Sequence, residues 1–240
     1  MEKLSDHTAM ILAGGKGLRL RSVVPDKPKV LAIVNERPFL SYILTELSQA
    51  GLRKVVLCTG YKGDQIYAEY GERYKKLSIA YSREIAPLGT GGALRLALPL
   101  VPTNTVLVLN GDSFCFGNIL QFWSYHNRKK ATVSIMTTRV ADTHRYGRIQ
   151  IGADGKISRF DEKGPISRAG WINAGIYLLN TNIIKEISPT GEVSLERELI
   201  PNYVGRGLYG FKCQNTFIDI GTPASYERAK QLFNKRNNYL

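Results

Sequence analysis

The chain has 240 residues, 43% hydrophobic and 22% charged, an ordinary globular balance with enough length for one large domain. Lys plus Arg 33 against Asp plus Glu 20 leaves a net charge of +13, which favours anionic partners without choosing between nucleotides, nucleic acid and a membrane surface. No apolar run approaches the roughly 20 residues that cross a bilayer, and the start Met1-Glu2-Lys3-Leu4 has no apolar core, so a cytoplasmic protein without a membrane partner is expected.

The basic residues are dispersed, the tightest groups being Lys75-Lys76 and Arg128-Lys129-Lys130. No zinc finger, aromatic ribonucleoprotein motif or arginine-rich arm accompanies them, so no nucleic-acid partner is expected either. Cys58, Cys115 and Cys213 are odd in number, far apart and set among apolar or aromatic residues. They match neither a disulfide framework nor zinc-ligand spacing, and read as packing residues.

In chain order, the apolar runs Ala9 to Ala13, Lys54 to Cys58 and Thr105 to Leu109 predict buried parallel strands. The segments between them, Pro38 to Gly51, Asp64 to Tyr74 and Gly91 to Leu98, carry apolar residues at three- and four-residue spacing and predict helices, the first stopped by Gly51. This alternation implies an α/β fold with a doubly wound, mainly parallel sheet. After about Ala131 the runs Thr132 to Met136, Gly147 to Ile151 and Lys156 to Phe160, with the turn Ala153-Asp154-Gly155, predict antiparallel additions. Pro223 to Leu232 predicts a closing helix capped by Thr222. One domain over 1–240 is expected, with a first half near 8–130, a second half near 131–222 and the closing helix near 223–233.

The first strand runs into Gly14-Gly15-Lys16-Gly17-Leu18-Arg19-Leu20. Glycines let backbone N–H groups approach an anion while Lys16 and Arg19 add positive charge, although a tight strand-to-helix turn explains three glycines equally well. Neither the Walker spacing nor the dinucleotide fingerprint is present. Instead Pro28-Lys29 follows, and the chain here resembles the sugar-phosphate nucleotidyltransferases, whose signature is Gly-Gly-x-Gly-Thr-Arg-Leu followed by Pro-Lys. Leu18 stands where Thr is usual. The resemblance continues in order through Pro87 to Ala93, Asn110-Gly111-Asp112, Tyr146-Gly147, Glu162-Lys163, Asn173-Ala174-Gly175, Ser194-Leu195-Glu196 and Phe217 to Pro223, nearly the whole chain. The family's optional C-terminal β-helix is not expected.

The resemblance implies transfer of a nucleoside monophosphate from an NTP to a sugar 1-phosphate, with pyrophosphate released. That chemistry joins anions, so it calls for cations and oriented phosphates more than for a base, and His7, His126 and His144 need no catalytic role. It implies Arg19 and Lys29 as the charges stabilising the reacting phosphates. Asp112 and Asp219, each after an apolar strand, are implied as catalytic carboxylates and the ligands of Mg²⁺. Nucleotide contacts are assigned to Leu12, Ala13, Gly14, Gly15, Lys16, Gly17, Glu84, Pro87, Gly89, Thr90, Gly92 and Gly111. Sugar-phosphate contacts are assigned to Asn110, Tyr146, Gly147, Glu162, Lys163, Asn173, Gly175 and Glu196.

Glu84 suits the N1–H and exocyclic amine of guanine, and equally an exposed strand end. Within the family, Arg37 to Leu40, Pro87 to Gly92, Arg145 to Gly147 and Phe217 to Gly221 are most similar to the bacterial D-glycero-α-D-manno-heptose 1-phosphate guanylyltransferases. These imply GTP and a GDP-heptose for surface polysaccharide, either capsule or lipopolysaccharide. The mannose 1-phosphate guanylyltransferases and N-acetylmuramate 1-phosphate uridylyltransferases are the nearest rivals. Outside that chemistry, a silent regulatory homologue and a nucleic-acid-binding protein are the competing classes, and a homo-oligomer is compatible with any of these readings.

Overall fold

The computed structural model describes residues 3–144, 146–161 and 168–236. Its strands are β1 (Thr8–Ala13), β2 (Ile33–Val34), β3 (Arg37–Pro38), β4 (Lys54–Thr59), β5 (Arg73–Tyr74), β6 (Leu77–Arg83), β7 (Thr105–Asn110), β8 (Ser113–Cys115), β9 (Val133–Val140), β10 (Arg148–Ile151), β11 (Ile157–Asp161), β12 (Gly170–Asn180), β13 (Leu208–Cys213) and β14 (Phe217–Asp219). The helices are α1 (Phe39–Ala50), α2 (Gly63–Tyr70), α3 (Gly89–Ala97), α4 (Ile119–Lys129), α5 (Thr181–Lys185) and α6 (Pro223–Arg236).

A ten-stranded sheet carries the order β11-β10-β12-β7-β1-β4-β6-β5, with β9 on β12 and β13 on β9. The pairs β7–β1, β1–β4 and β4–β6 are parallel, which is why their sequences read as continuous apolar runs. Both faces are covered: Ala9, Ile11, Leu107 and Leu109 enter one core, while Met10, Val106 and Val108 enter the other. Beyond β7 the sheet becomes antiparallel, except that β9 and β13 run parallel, and an isolated bridge from Lys156 to Tyr209 curls this end of the sheet.

β12 changes neighbours along its length. Its start pairs with β10 and its end with β7, and the register on β9 shifts between Asn173 and Tyr177. Gly175 takes φ +72 at that bulge, a left-handed conformation that other residues adopt only at a cost.

Gly51 ends α1 at φ 101, its N–H donating to Leu47 and Ser48 carbonyls. Thr222 caps α6, its Oγ1 accepting from Ser225 N at 3.2 Å. Phe233 of α6 packs on Phe39, Tyr42, Phe114 and Phe116. The expected helix over Asp64 to Tyr74 is shorter than predicted: Gly71 at φ 54 stops α2, and Arg73–Tyr74 becomes a short edge strand. Among the described residues, no helix is long and apolar enough to cross a membrane.

His126 on α4 is 4% exposed, with Nδ1 2.8 Å from Ser134 Oγ, and burial pushes its pKa down to about 4. Below the ordinary histidine range the unfolded chain then binds a proton that the folded chain does not, so stability is full near neutrality and falls as pH drops toward 4. Between pH 7 and pH 5 the expected loss is about 2 kcal/mol from this residue. Urea unfolding of wild type and His126→Gln at both pH values measures it, and equal pH slopes in the two proteins would remove His126 as the cause.

Candidate active site

The parallel strands end together, as open α/β sheets require of a binding edge. β1 runs into Gly14-Gly15-Lys16, β4 into Gly60-Tyr61, β6 into Glu84 and β7 into Asn110 to Asp112. A cleft of about 1060 Å³ opens there. Of the residues expected to bind nucleotide, Leu12, Ala13, Gly14, Gly15, Lys16, Glu84, Pro87, Gly89 and Thr90 line it, as do Lys29, Asn110 and Asp112. Gly17, Gly92 and Gly111 do not line it, and each leaves room for a neighbour: a Cβ would sit 3.1 Å from Lys29 Cβ, 2.8 Å from Leu88 Cβ and 2.7 Å from the Leu12 carbonyl oxygen, respectively.

Lys29 Nζ donates to Asp112 Oδ2, and the two side chains are 16% and 33% exposed. β8 continues directly from Asp112 and pairs antiparallel with β14, setting Ser113 opposite Asp219. Ile220 N donates to the Asp112 carbonyl at 2.9 Å. Two carboxylates far apart in sequence therefore come to one strand pair. Asp219 is held firmly: Oδ1 accepts from Gly221 N at 2.8 Å and Ser225 Oγ at 3.0 Å, and Oδ2 from Tyr146 OH at 2.6 Å. An Arg19 guanidinium nitrogen comes within 3.5 Å of where a Gly221 Cβ would stand, so Arg19 ends beside the Asp219 turn.

Just past β6, Glu84 Oε2 accepts from Leu88 N at 3.2 Å. A Cβ on Gly14 or Gly60 would stand 2.7 or 2.6 Å from Oε1, so both glycines make room for this carboxylate. Burial raises the Glu84 pKa above its ordinary value, the Leu88 N–H opposes that, and the Glu192 charge adds to it. Gly89 takes φ +72, and a Cβ there would lie 2.4 Å from the Val193 carbonyl oxygen. That same carbonyl accepts from Gly91 N at 2.8 Å and Gly92 N at 3.3 Å, while Val193 N donates to the Leu88 carbonyl at 2.8 Å.

A polar network joins this loop to β12. Thr90 Oγ1 donates to Glu196 Oε2 at 2.7 Å and accepts from Leu195 N at 2.8 Å. Tyr177 OH donates to Glu196 Oε1 at 3.1 Å and accepts from Asn173 Nδ2 at 2.7 Å. Burial, then the Glu196 charge, hold the Tyr177 hydroxyl well above its ordinary range, so it remains a neutral donor. Asn173 Oδ1 accepts from Gly175 N at 2.9 Å, and a Cβ on Gly175 would be 2.8 Å from both Asn110 Nδ2 and Ser113 Oγ. Asn110 Oδ1 is buried and has no hydrogen-bond partner among the described residues.

Tyr146 thus meets Asp219, Asn173 meets Tyr177 and Gly175, Gly175 lies against Asn110, and Glu196 meets Thr90. Gly147 is half-buried just before β10. Glu162 and Lys163 lie outside the described residues. Sequence reasoning missed Tyr177, Tyr61 and Glu192, the last two of which line the cleft. Tyr177 reads as one more apolar position in a strand, and its only signal is a polar tip inside the run Ile176 to Leu179. Tyr61 could have been found, because it follows Gly60 at the end of a predicted parallel strand.

A family model described as nucleotidyl transferase matches residues 8–236. The D-glycero-alpha-D-manno-heptose 1-phosphate guanylyltransferase of Aneurinibacillus thermoaerophilus is 37% identical over 224 residues, covering 93% of this chain and 96% of that protein. The mannose-1-phosphate guanylyltransferase of Mycobacterium tuberculosis is 33% identical over 92% of this chain, which spans 62% of that longer protein. Among solved structures, HddC from Yersinia pseudotuberculosis complexed with GMP-PN superposes with a TM-score of 0.83 at 32% identity, covering 95% of this chain and 99% of that one. A match that runs from β1 through α6, with relatives at this identity over nearly the full length, answers the question the glycine-rich loop left open: the chain belongs to the nucleotidyl transferase family.

Proposed function

We propose that the protein transfers GMP from GTP to D-glycero-α-D-manno-heptose 1-phosphate, giving GDP-heptose and pyrophosphate for surface polysaccharide synthesis in the cytoplasm. The observation that carries the reading is one cleft lined together by the glycine-rich loop, the Lys29–Asp112 pair and the Glu84 carboxylate. The heptose-specific name of a 37% identical relative and the GMP-PN bound by HddC support the substrate pair. Three free cysteines are consistent with a reducing compartment.

In this reading an oxygen of the sugar 1-phosphate attacks the α-phosphorus of GTP. A new P–O bond forms as the bond to the bridging oxygen breaks, and pyrophosphate leaves with the electron pair. The nucleophile is already ionised, so no side chain has to take a proton. Backbone N–H groups of 14–17 and the Lys16 ammonium cradle the triphosphate, Arg19 stabilises the departing pyrophosphate, and Lys29 neutralises charge near the reacting phosphates. Asn110, Tyr146, Gly147, Glu162, Lys163, Asn173, Gly175 and Glu196 form the sugar-phosphate side, with Lys163 as the phosphate partner.

Asp112 and Asp219 fit Mg²⁺: both are carboxylates, and Asp219 pairs with Ser113, the residue after Asp112. Among the described residues no cluster of three or more His, Cys, Asp or Glu competes with them, so two carboxylates would leave positions for phosphate oxygens and water. When bound there, the ion would supply charge neutralisation and alignment of the phosphates.

Ionised Glu84 offers two acceptor oxygens to the guanine N1–H and exocyclic amine, and protonation turns one of them into a donor and removes the charge. Because its pKa is raised, acid should cost GTP affinity beginning above the usual carboxylate range, with binding weakening as pH falls. Glu84→Gln is expected to weaken GTP binding about 10- to 100-fold at pH 7.5, a chosen assay pH, and to flatten this pH dependence. Calorimetric titration with GTP across pH checks both; a variant with wild-type affinity removes Glu84 from base recognition.

Pyrophosphate release with Mg²⁺, across GTP, dTTP, UTP, CTP and ATP paired with heptose, mannose, glucose and N-acetylmuramic acid 1-phosphates, tests the function. Release confined to GTP with the heptose phosphate supports the proposal. Release with mannose 1-phosphate moves the chain to the chemistry named for the Mycobacterium relative, and release from UTP with N-acetylmuramate 1-phosphate moves it to the uridylyl rival. Silence throughout favours a regulatory homologue, or, if random DNA binds with steep salt dependence, a nucleic-acid-binding protein.

A further inference from the structure

Cys115 and Cys213, 98 positions apart in sequence, meet in the fold with Sγ–Sγ 4.0 Å, and both are buried and unbonded. Cys115 is the last residue of β8 and stands opposite Phe217 of β14. Cys213 ends β13, and three exposed residues, 214–216, lead from it into β14. Asn215 Nδ2 donates to the Phe116 carbonyl at 2.6 Å and Phe116 N donates to the Thr216 carbonyl at 3.2 Å, so this turn is tied to the far side of Cys115. Gly117 keeps the space beside the sulfurs: a Cβ there would lie 2.4 Å from Met136 Sδ and 3.3 Å from Cys213 Sγ.

We propose that Cys115 and Cys213 are a redox-modification site, a dithiol that peroxide closes to an internal disulfide and that thereby governs the strand pair carrying Asp112 and Asp219. The governing half of the proposal rests on the function proposed above; the disulfide itself does not. Hydrogen peroxide is the oxidant. The Cys213 thiolate attacks one peroxide oxygen, the O–O bond breaks, and the departing hydroxide takes a proton to leave as water. The Cys115 sulfur then attacks the sulfenic sulfur, expelling the hydroxyl with the Cys115 proton as a second water. Two thiols are oxidised, one peroxide is reduced, and two waters form.

Cys213 is the attacking member, because it borders the exposed turn and because the Cys115 S–H, with the Asn215 N–H groups, holds its pKa below the ordinary thiol range. Cys58 is the contrast, a buried thiol pushed up to about 12 with no sulfur partner. A disulfide requires its sulfurs to close to about 2.05 Å. The closure has to be drawn from β8, from the end of β13 or from the turn into β14, and two of these connect directly to a carboxylate that must stay in register.

The test uses the full-length protein. After treatment with hydrogen peroxide, the protein is unfolded, alkylated with iodoacetamide and weighed intact. The expected species has lost two hydrogens and gains one alkyl group in place of three. Peptide mapping joins the Cys115 and Cys213 peptides, dithiothreitol reverses the change, and Cys115→Ser and Cys213→Ser each abolish it. Pyrophosphate release from the productive substrate pair should fall at least tenfold and return with dithiothreitol. Three alkyl groups after oxidation overturn the site, and a stoichiometric disulfide with unchanged activity overturns the control. Should no substrate pair be turned over even by the reduced protein, it is the proposed function that has failed, while the mass measurement still decides the site.

Discussion

Asp112→Asn is expected to lower GMP transfer by about 10²- to 10³-fold while leaving the folded state intact. The argument is local. Asp112 is partly exposed on the cleft wall, so the isosteric amide opens no cavity, and its main-chain carbonyl still accepts from Ile220 N. What disappears is a negative charge that faces a lysine and, in the proposed mechanism, a divalent ion. Asp219→Asn should lose activity on the same scale, because its carboxylate is already oriented by Gly221, Ser225 and Tyr146. Steady-state rates against Mg²⁺ concentration, beside thermal unfolding of each variant, separate the two effects. Full activity in either variant would sink its assignment as a metal ligand, and a collapsed unfolding temperature would mean that the residue is mainly structural.

Lys29→Met should be nearly as damaging, with kcat/KM down about 10²-fold or more. The methionine keeps the aliphatic stem that Gly17 packs against and deletes only the ammonium. Asp112 would then lose its cation, and phosphates entering the cleft would meet one positive charge fewer. The loss is expected in kcat more than in the affinity for GTP, since Lys29 is assigned to the reacting phosphates rather than the base. Single-turnover rates with direct GTP binding make the split visible. A kcat within twofold of wild type would return Lys29 to the status of a loop lysine.

Much of the fold was legible because the central strands are buried on both faces and therefore unbroken in their hydrophobicity. Gly51, Gly155 and Thr222 punctuate the chain where turn and cap chemistry says they should. β6 was less visible, since Tyr81 and two serines interrupt its apolar pattern. α4 had a readable face, Ile119, Phe122 and Trp123, but its fourth member is His126, which a hydrophobic count discards. The parallel pairing of β9 with β13 could not be read, because 208–213 returns to β9 only after β12 and α5 are in place.

The site divides in the same way. Asp112 was marked by the apolar run Thr105 to Leu109 that precedes it, whereas Glu84 follows a strand whose pattern is broken. Contacts between distant segments were not marked: Tyr177 with Glu196 depends on the bulge at Gly175, and Cys115 with Cys213 depends on the β8–β14 pairing. A third signal, glycine, was only half legible. Gly14 was visible as part of a glycine-rich turn, whereas its service, with that of Gly60, as space for a carboxylate required Glu84 to be in place.

The Val193 carbonyl that closes the first turn of α3 also sets an order of events during synthesis. Thr90 and Glu196 are 106 positions apart, so the 88–92 loop leaves the ribosome long before the segment that fastens it. A nascent chain stopped short of Val193 has β1, β4, β6 and β7 to pair, but the amides of Gly91 and Gly92 lack their carbonyl and Thr90 lacks its carboxylate. The 88–92 loop is therefore fastened only once 193–196 have been made, later than the parallel strands before it and earlier than the β8–β14 pairing that brings Asp219 to Asp112.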